Sequence, residues 1–444
     1  MLGRSLEYFD MLVRPAKCLR GDVSLPGDKS ISHRAAIMAA LANGETRIEN
    51  FATSADCAST LKCLQQMGVD VRREANTVWI AGVGKSGLRT PSDELDCGNS
   101  GTTMRLMSGV LAGQDFKSVL IGDESLSRRP MKRVIAPLTQ MGAEIGSVDG
   151  HAPLTINGTS PLRSIDYELP IASAQIKSCV LLAGLNADGE TTVIEAVPTR
   201  DHTERMLRWF GVEIGEKVNG QATRISINGG AELNTAGDMS IPADISAAAF
   251  FIVAASSLEG SNIRMENVGI NPTRAALIDV VGRQLGGSIR LGEQIELNNE
   301  PVATISVIGQ LEQQRSSEIK GGVVANLIDE LPILAVFGTQ LEHGLEVRDA
   351  AELRVKESDR IAAVVRNLRL MGADVEEFDD GFRVSRSRLK GATVDSFGDH
   401  RIAMAFAVAG LLAVEGETAI VGADCVDVSF PGFFETLKNV VVYE

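Results

Sequence analysis

No stretch of this chain is apolar for long enough to cross a bilayer. The longest charge-free apolar run, IAMAFAVAGLLAV at 402–414, has thirteen residues, against the roughly 18–20 that a spanning helix needs, so a buried helix is expected there. An excess of positive charge is missing too. The chain carries 43 basic and 58 acidic residues, net −15, which repels nucleic acid and anionic membranes at long range and leaves any bound anion to a local cluster of cations. Six cysteines (Cys18, Cys57, Cys63, Cys97, Cys179, Cys425) form no C-x-x-C pair. With no signal peptide, reduced thiols in a cytoplasmic protein are expected. The five histidines (His33, His151, His202, His343, His400) show no ligand spacing, so no metal is expected. There is no G-x-S-x-G, and no serine lies in a recognised hydrolase arrangement.

What is present is a long globular chain. Its 444 residues exceed one ordinary core and predict two or three domains. At 44% hydrophobic and 23% charged, disorder is not expected. The opening MLGRSLEYFDMLVRP carries acids and arginines where a secretory signal needs an unbroken apolar run. It reads as a short extension preceding a start at Met11.

A helix ending recurs: LQQMGVDV, LTQMGAEI, LRWFGVEI and LRLMGADV, with a weaker GRQLGGSI and a final LKNVVVYE in which Val441 replaces the glycine. Counted at Gly68, Gly142, Gly211, Gly286, Gly372 and Val441, the intervals are 74, 69, 75, 86 and 69 residues. Glycine after an apolar-periodic run is a helix stop signal, because it takes a left-handed conformation cheaply before a strand. Near-constant spacing predicts duplication. Each unit also has an earlier Ala-rich helix, several followed by G-E-T (at Gly44, Gly189 and Gly416) and a β-prone segment. The predicted unit is strand, helix, strand, helix, strand, six times over, three per domain. Ala-rich helices such as DISAAAFFIVAASSL (244–258) show little polar face, as expected of helices enclosed by protein.

Chemistry-bearing residues cluster near predicted helix starts. LPGDKSISHR (25–34) fails the nucleotide P-loop because Asp28 stands where the second glycine belongs. Pro-Gly leading into a helix still offers free N–H groups, a hydroxyl, Lys29 and Arg34, which suits an anion or an ordinary capped helix start. CGNSGTTMR (97–105), SRRPMKR (127–133), ASAQIKS (172–178), PTRDHTER (198–205) and GDHR (398–401) repeat the composition. In RVKESDR (354–360), Lys356 and Arg360 are four apart and predicted to share a helix face, with Glu357 three before Arg360. A surface ion pair fits that segment equally well. In NLIDELPILAV (326–336), Asp329 and Glu330 precede an apolar helix and either cap it or supply a base. The shared feature is Lys29, Arg34, Arg129, Arg200, Lys356, Arg360 and Arg401, a set suited to one or two highly anionic small molecules.

These segments, in this order, resemble the 3-phosphoshikimate 1-carboxyvinyltransferase (EPSP synthase) family. LPGDKSISHR, GNSGTTMR, the RRP of SLSRRPM, SAQIKS, RDHTE, NPTR, IDELP, ELRVKESDR, DHRIAM and SFPGF carry the likeness from about Leu25 to Phe434. The resemblance implies a two-domain inside-out α/β barrel of six βαβαββ-type repeats, with 25–241 as one domain and 1–24 plus 242–444 as the other. In the family the domains close on each other with active-site residues on their facing surfaces. The implied reaction transfers the carboxyvinyl group of phosphoenolpyruvate to the 5-hydroxyl of shikimate 3-phosphate, through a tetrahedral intermediate, without cofactor or metal. Glu357 is implied as proton donor to the methylene carbon, Asp329 as acceptor of the hydroxyl proton and Lys29 as assistant. Lys29, Ser30, Arg34, Ser173, Ala174, Gln175 and Arg200 are implied to hold shikimate 3-phosphate. Arg129, Arg360, Arg401 and Lys29, with Gly101 close by, are implied to hold phosphoenolpyruvate, and Asn99, Asp329 and Lys356 complete the substrate-binding set.

Gly101 also implies inhibition by glyphosate, since alanine there is frequent in the insensitive branch. Ser429 stands where many members have a lysine, and SAQ and ELRVKESDR likewise look more like the insensitive branch. The rival is the enolpyruvyl transferase that acts on UDP-N-acetylglucosamine, which usually has a reactive cysteine where GDESLSRRP (122–130) has none. A silent anion binder is disfavoured by Asp329 and Glu357. A monomer in the cytoplasm is expected on family grounds.

Overall fold

The computed structural model describes residues 11–220 and 222–443; the stretch read as an N-terminal extension, 1–10, lies outside the described residues. The chain divides into two compact α/β units. The first comprises Gly27–Pro242 with the short segment Glu296–Glu300, and the second the chain up to Pro26, Ala243–Ile295 and everything from Pro301.

The first unit holds three mixed sheets. In one, Lys117–Ile121 pairs in parallel with Leu95–Asp96 and antiparallel with His151–Asn157, which pairs antiparallel with Glu144–Val148. Glu190–Glu195 stands in the same relation to Asp166–Glu168, Ala222–Asn228 and Ile214–Asn219. Ala42–Glu49 does so to Leu233–Asn234, Thr77–Val83 and Asp70–Glu74. In each of these three sheets a hairpin supplies the last two strands, the outer one at the sheet edge.

The second unit also has three mixed sheets. One is centred on Leu345–Val347 with Glu318–Ile319, Gly381–Val384 and Val375–Phe378. Another centres on Thr418–Val421, with Thr393–Asp395 parallel and Met11–Val13 antiparallel to it. The third runs Gly287–Leu297, Glu300–Leu311, Asn262–Gly269, Cys18–Asp22 and Val441–Val442. Among the described residues no sheet closes on itself.

Each unit encloses three helices. In the first these are Lys29–Leu41, Gly101–Ala112 and Ala174–Gly184, in the second Ile245–Ser257, Leu331–Gly338 and His400–Leu411. Every residue from Ile31 to Leu41 is buried, and so is every residue of His400–Leu411, which contains most of the apolar run at 402–414. Small residues allow this, because an enclosed helix must bury all its faces at close approach. No helix among the described residues is long and apolar enough to cross a membrane.

The recurring glycines do what a helix stop requires. Gly68, Gly142, Gly211, Gly286 and Gly372 have φ of +87°, +107°, +82°, +85° and +83°. Val441, in the glycine's place, follows the helix Phe433–Val440 at φ −75°, ψ 131°, and enters a strand directly. No left-handed residue is needed there, so valine is tolerated.

Gly109, inside an enclosed helix, gives up helix propensity for close approach. A Cβ there would lie 2.2 Å from the carbonyl oxygen of Cys179 on the neighbouring helix. Gly109→Ala is therefore expected to destabilise the first unit by about 1–3 kcal/mol despite alanine's better propensity. A lowered urea midpoint, followed by fluorescence of Trp79 and Trp209, checks it.

Candidate active site

In the first unit the candidate residues sit at the starts of the enclosed helices. Asp28, the residue that breaks the P-loop pattern, is the cap of Lys29–Leu41, its Oδ1 accepting from Ile31 N at 2.9 Å. Lys29 opens that helix and pairs with Asp56, Nζ to Oδ2 2.9 Å. Arg34 is buried, with Nη1 donating to the Ser30 carbonyl (2.9 Å), Nε to Thr203 Oγ1 (2.7 Å) and Nη2 to Ser178 Oγ (2.8 Å). Burial lowers its pKa to about 10, a tendency opposed by Glu204 and Asp28. These bonds bring the start of Lys29–Leu41 beside Ala174–Gly184 and His202–Trp209.

Ser100 caps Gly101–Ala112, its hydroxyl accepting from Thr103 N at 3.1 Å, so Gly101 is the first helical residue. Arg129 reaches the same loop, Nη2 donating to Asn99 Oδ1 at 2.7 Å, and Asn99 in turn donates to Asp123 at 2.8 Å. A methyl group on Gly101 would sit 2.8 Å from Arg105 Nη1 and 3.4 Å from Arg129 Nη1. Arg105 donates to Gln175 Oε1 at 2.8 Å, and Gln175 donates to Thr102 Oγ1 at 3.0 Å. Ser173 stands at the cap position of Ala174–Gly184 without a side-chain cap bond, and Ala174 is the first helical residue. Arg200 directly precedes Asp201, the cap position of His202–Trp209.

The second unit gathers the remaining five. Arg360 is 1% exposed and is held by Asp399, Nε to Oδ2 2.8 Å and Nη2 to Oδ1 3.2 Å. The same guanidinium contacts Glu357 Oε2 at 2.6 Å and Asp329 Oδ1 at 3.5 Å. Burial works against this charge, but Asp399, Glu357 and Asp329 outweigh it and raise the Arg360 pKa above its ordinary value. Arg401 Nη1 donates to the Asp329 carbonyl at 3.1 Å, and its Nε lies 3.9 Å from Asp329 Oδ1. Burial lowers the Lys356 pKa, while nearby Asp329 favours its charged form and Arg360 disfavours it.

Two local expectations are corrected. Lys356 and Arg360 do not share a helix face. Asp359 caps a helix that begins at Arg360, accepting from Ala362 N at 3.0 Å, and Lys356 ends the preceding short turn Ala351–Val355. Glu330 neither caps its helix by side chain nor stands free as a base: it is 1% exposed and bidentate to Arg274, 2.9 Å on each oxygen. Glu330 thereby pins the backbone that carries Asp329.

The sequence reading missed Arg105 and Asp399, each within a quoted motif, and Asp56, which lies outside all of them. Asp399 had a legible signal, an aspartate immediately before an apolar helix. Its oxygens cap that helix at Arg401 N (2.9 Å) and also hold Arg360. No group of three or more His, Cys, Asp or Glu residues among the described residues is arranged to hold a metal.

Carboxylates sharing a buried arginine, with further cations at helix starts, define an enzyme suited to acid–base chemistry on small anions. The family model of EPSP synthase (3-phosphoshikimate 1-carboxyvinyltransferase) matches residues 13–437. A 3-phosphoshikimate 1-carboxyvinyltransferase of Koribacter versatilis is 52% identical over 431 residues, 97% of this chain and 98% of that one. One from Pelotomaculum thermopropionicum is 52% identical over 441 residues, 98% and 99% of the two chains. The solved structure of EPSP synthase from Acinetobacter baumannii superposes with a TM-score of 0.85 at 40% identity, covering 97% of this chain and 98% of that one. The chain belongs to the EPSP synthase family.

Asp399→Ala removes the carboxylate that compensates a buried guanidinium. Loss of about 3–5 kcal/mol from the second unit is expected in chemical denaturation. A change under 1 kcal/mol would show that Arg360 is held by its other partners alone.

Proposed function

We propose that Lys29, Asp329 and Glu357 carry out the proton transfers by which this chain moves the carboxyvinyl group of phosphoenolpyruvate onto the 5-hydroxyl of shikimate 3-phosphate, the reaction of its family. The observation that carries the assignment is the pair of carboxylates on one buried guanidinium, Glu357 at 2.6 Å and Asp329 at 3.5 Å from Arg360. Addition needs an acid for the methylene carbon and a base for the hydroxyl, and elimination from the tetrahedral intermediate reverses the roles.

Glu357, held against Arg360 at 2.6 Å, gives the proton to the methylene carbon of a phosphoenolpyruvate bound by Arg360 and Arg401. Asp329 takes the hydroxyl proton and Lys29 assists. Arg129 and Lys29, with Gly101 close by, complete the phosphoenolpyruvate set. Lys29, Ser30, Arg34, Ser173, Ala174, Gln175 and Arg200 hold shikimate 3-phosphate, and Asn99 and Lys356 complete the substrate-binding set.

The two compact units correspond in this reading to the two enolpyruvyl transferase domains, 25–241 and 1–24 plus 242–444. Their six sheets correspond to six βαβαββ-type repeats of an inside-out barrel. Shared strand order and recurrent left-handed glycines support that view. The reaction needs no metal or cofactor, and the reading makes the protein a cytoplasmic monomer.

Glu357→Gln is expected to lower kcat by about 10²–10⁴-fold, the usual contribution of a positioned acid or base, with a smaller change in KM. Steady-state phosphate release checks it, and near wild-type kcat would remove Glu357 from the role. Glyphosate is expected to inhibit competitively with phosphoenolpyruvate. Gly101→Ala crowds Arg105 and Arg129, and should raise the glyphosate inhibition constant more than the phosphoenolpyruvate KM. Full activity of the unaltered chain at millimolar glyphosate would contradict the first expectation, and equal shifts of the two constants the second.

A further inference from the structure

Lys177 has no part in the reaction as described, yet its side chain is 1% exposed in the middle of Ala174–Gly184. A buried ammonium costs several kcal/mol in lost hydration, and an apolar residue is often at least as stable at such a place. What the charge achieves must therefore be sought in what it holds.

Lys177 Nζ meets Glu195 at 3.2 Å, Glu204 at 2.6 Å and the carbonyl of Thr199 at 3.3 Å. Glu195 Oε2 accepts from both Thr199 N (3.2 Å) and Thr199 Oγ1 (2.7 Å). The backbone N–H, the backbone carbonyl and the hydroxyl of Thr199 are thus all held by this cluster. In the segment that joins Glu190–Glu195 to His202–Trp209, residues 196–198 are exposed and Thr199 alone is buried. The next residue is Arg200.

Lys177 N also donates to the Ser173 carbonyl at 3.1 Å, one turn back at the helix start. Ser178, the following residue, bonds Arg34 and Thr203. One buried cluster therefore ties the Ser173–Ala174–Gln175 helix start to the segment bearing Arg200. Burial opposes the Lys177 charge, but Glu204 and Glu195 outweigh it and raise its pKa above the ordinary value. Burial raises the Glu204 pKa above its ordinary value, against the pull of Lys177.

We infer that Lys177, Glu195 and Glu204 are positioning residues that clamp Thr199 and so aim Arg200 at a phosphate-bearing substrate. This rests on the reading of Arg200 as a shikimate 3-phosphate ligand. The cluster acts on one substrate of the two, because it meets the candidate residues through Arg200, the Ser173 turn and, by way of Ser178 and Thr203, Arg34, all read as shikimate 3-phosphate ligands. Lys177→Met removes the clamp's cation. Thr199→Val keeps every buried charge and removes only the hydroxyl, so it reads the clamp even where the Lys177→Met chain folds poorly.

The test is steady-state kinetics of the full chain with Lys177→Met, Thr199→Val and Arg200→Ala, singly and as double variants with Arg200→Ala. Each single variant is expected to raise the KM for shikimate 3-phosphate about tenfold and to leave the KM for phosphoenolpyruvate within about twofold. In the Arg200→Ala background, Lys177→Met and Thr199→Val should add less than about twofold. Equal rises in both KM values, or full additivity with Arg200→Ala, would overturn the positioning role while leaving the Arg200 assignment in place. An unchanged KM for shikimate 3-phosphate in Arg200→Ala would overturn both.

Discussion

A helix buried on every side meets solvent chiefly at its ends. Three such helices run through each unit, their faces almost wholly buried, with Arg34 and Lys177 among the buried residues. The N-terminal turns, with their unpaired N–H groups and favourable potential for anions, become the places where function can be built. Lys29, Gly101, Ala174 and Arg401 all lie in first turns of these helices, and Asp329 lies just before another. In each unit the placing of these residues is thus a consequence of how its core is packed.

Cations gathered there need compensation before any substrate arrives. Asp399 does this for Arg360 while capping the helix of Arg401, one carboxylate serving two cationic residues. Glu330 does it for Arg274, and Asp56 for Lys29. Buried pairs of this kind add little stability, but removing one partner is expensive, so they fix geometry. The acidic balance of the chain, net −15, coexists with anion chemistry because the positive charge is local.

Much of this was legible in the sequence. The glycine series marked left-handed helix stops because only glycine takes that conformation without penalty, and the Ala-rich composition marked enclosed helices. Less legible were partnerships between residues far apart in the chain. Arg274 and Glu330 are 56 residues apart, Arg360 and Asp399 are 39 apart, and no local pattern pairs them. The misreading of Lys356 has a local cause: four-residue spacing looked helical, but Asp359 starts the helix at Arg360 and outweighs the spacing.

The central claim is that this arrangement of cations and paired carboxylates accepts a hydroxyl of shikimate 3-phosphate and the carboxyvinyl group of phosphoenolpyruvate. Phosphate release from phosphoenolpyruvate, measured with shikimate 3-phosphate and separately with UDP-N-acetylglucosamine, tests it most directly. The account predicts release with shikimate 3-phosphate alone. Release with the nucleotide sugar instead, or with neither acceptor, would contradict it.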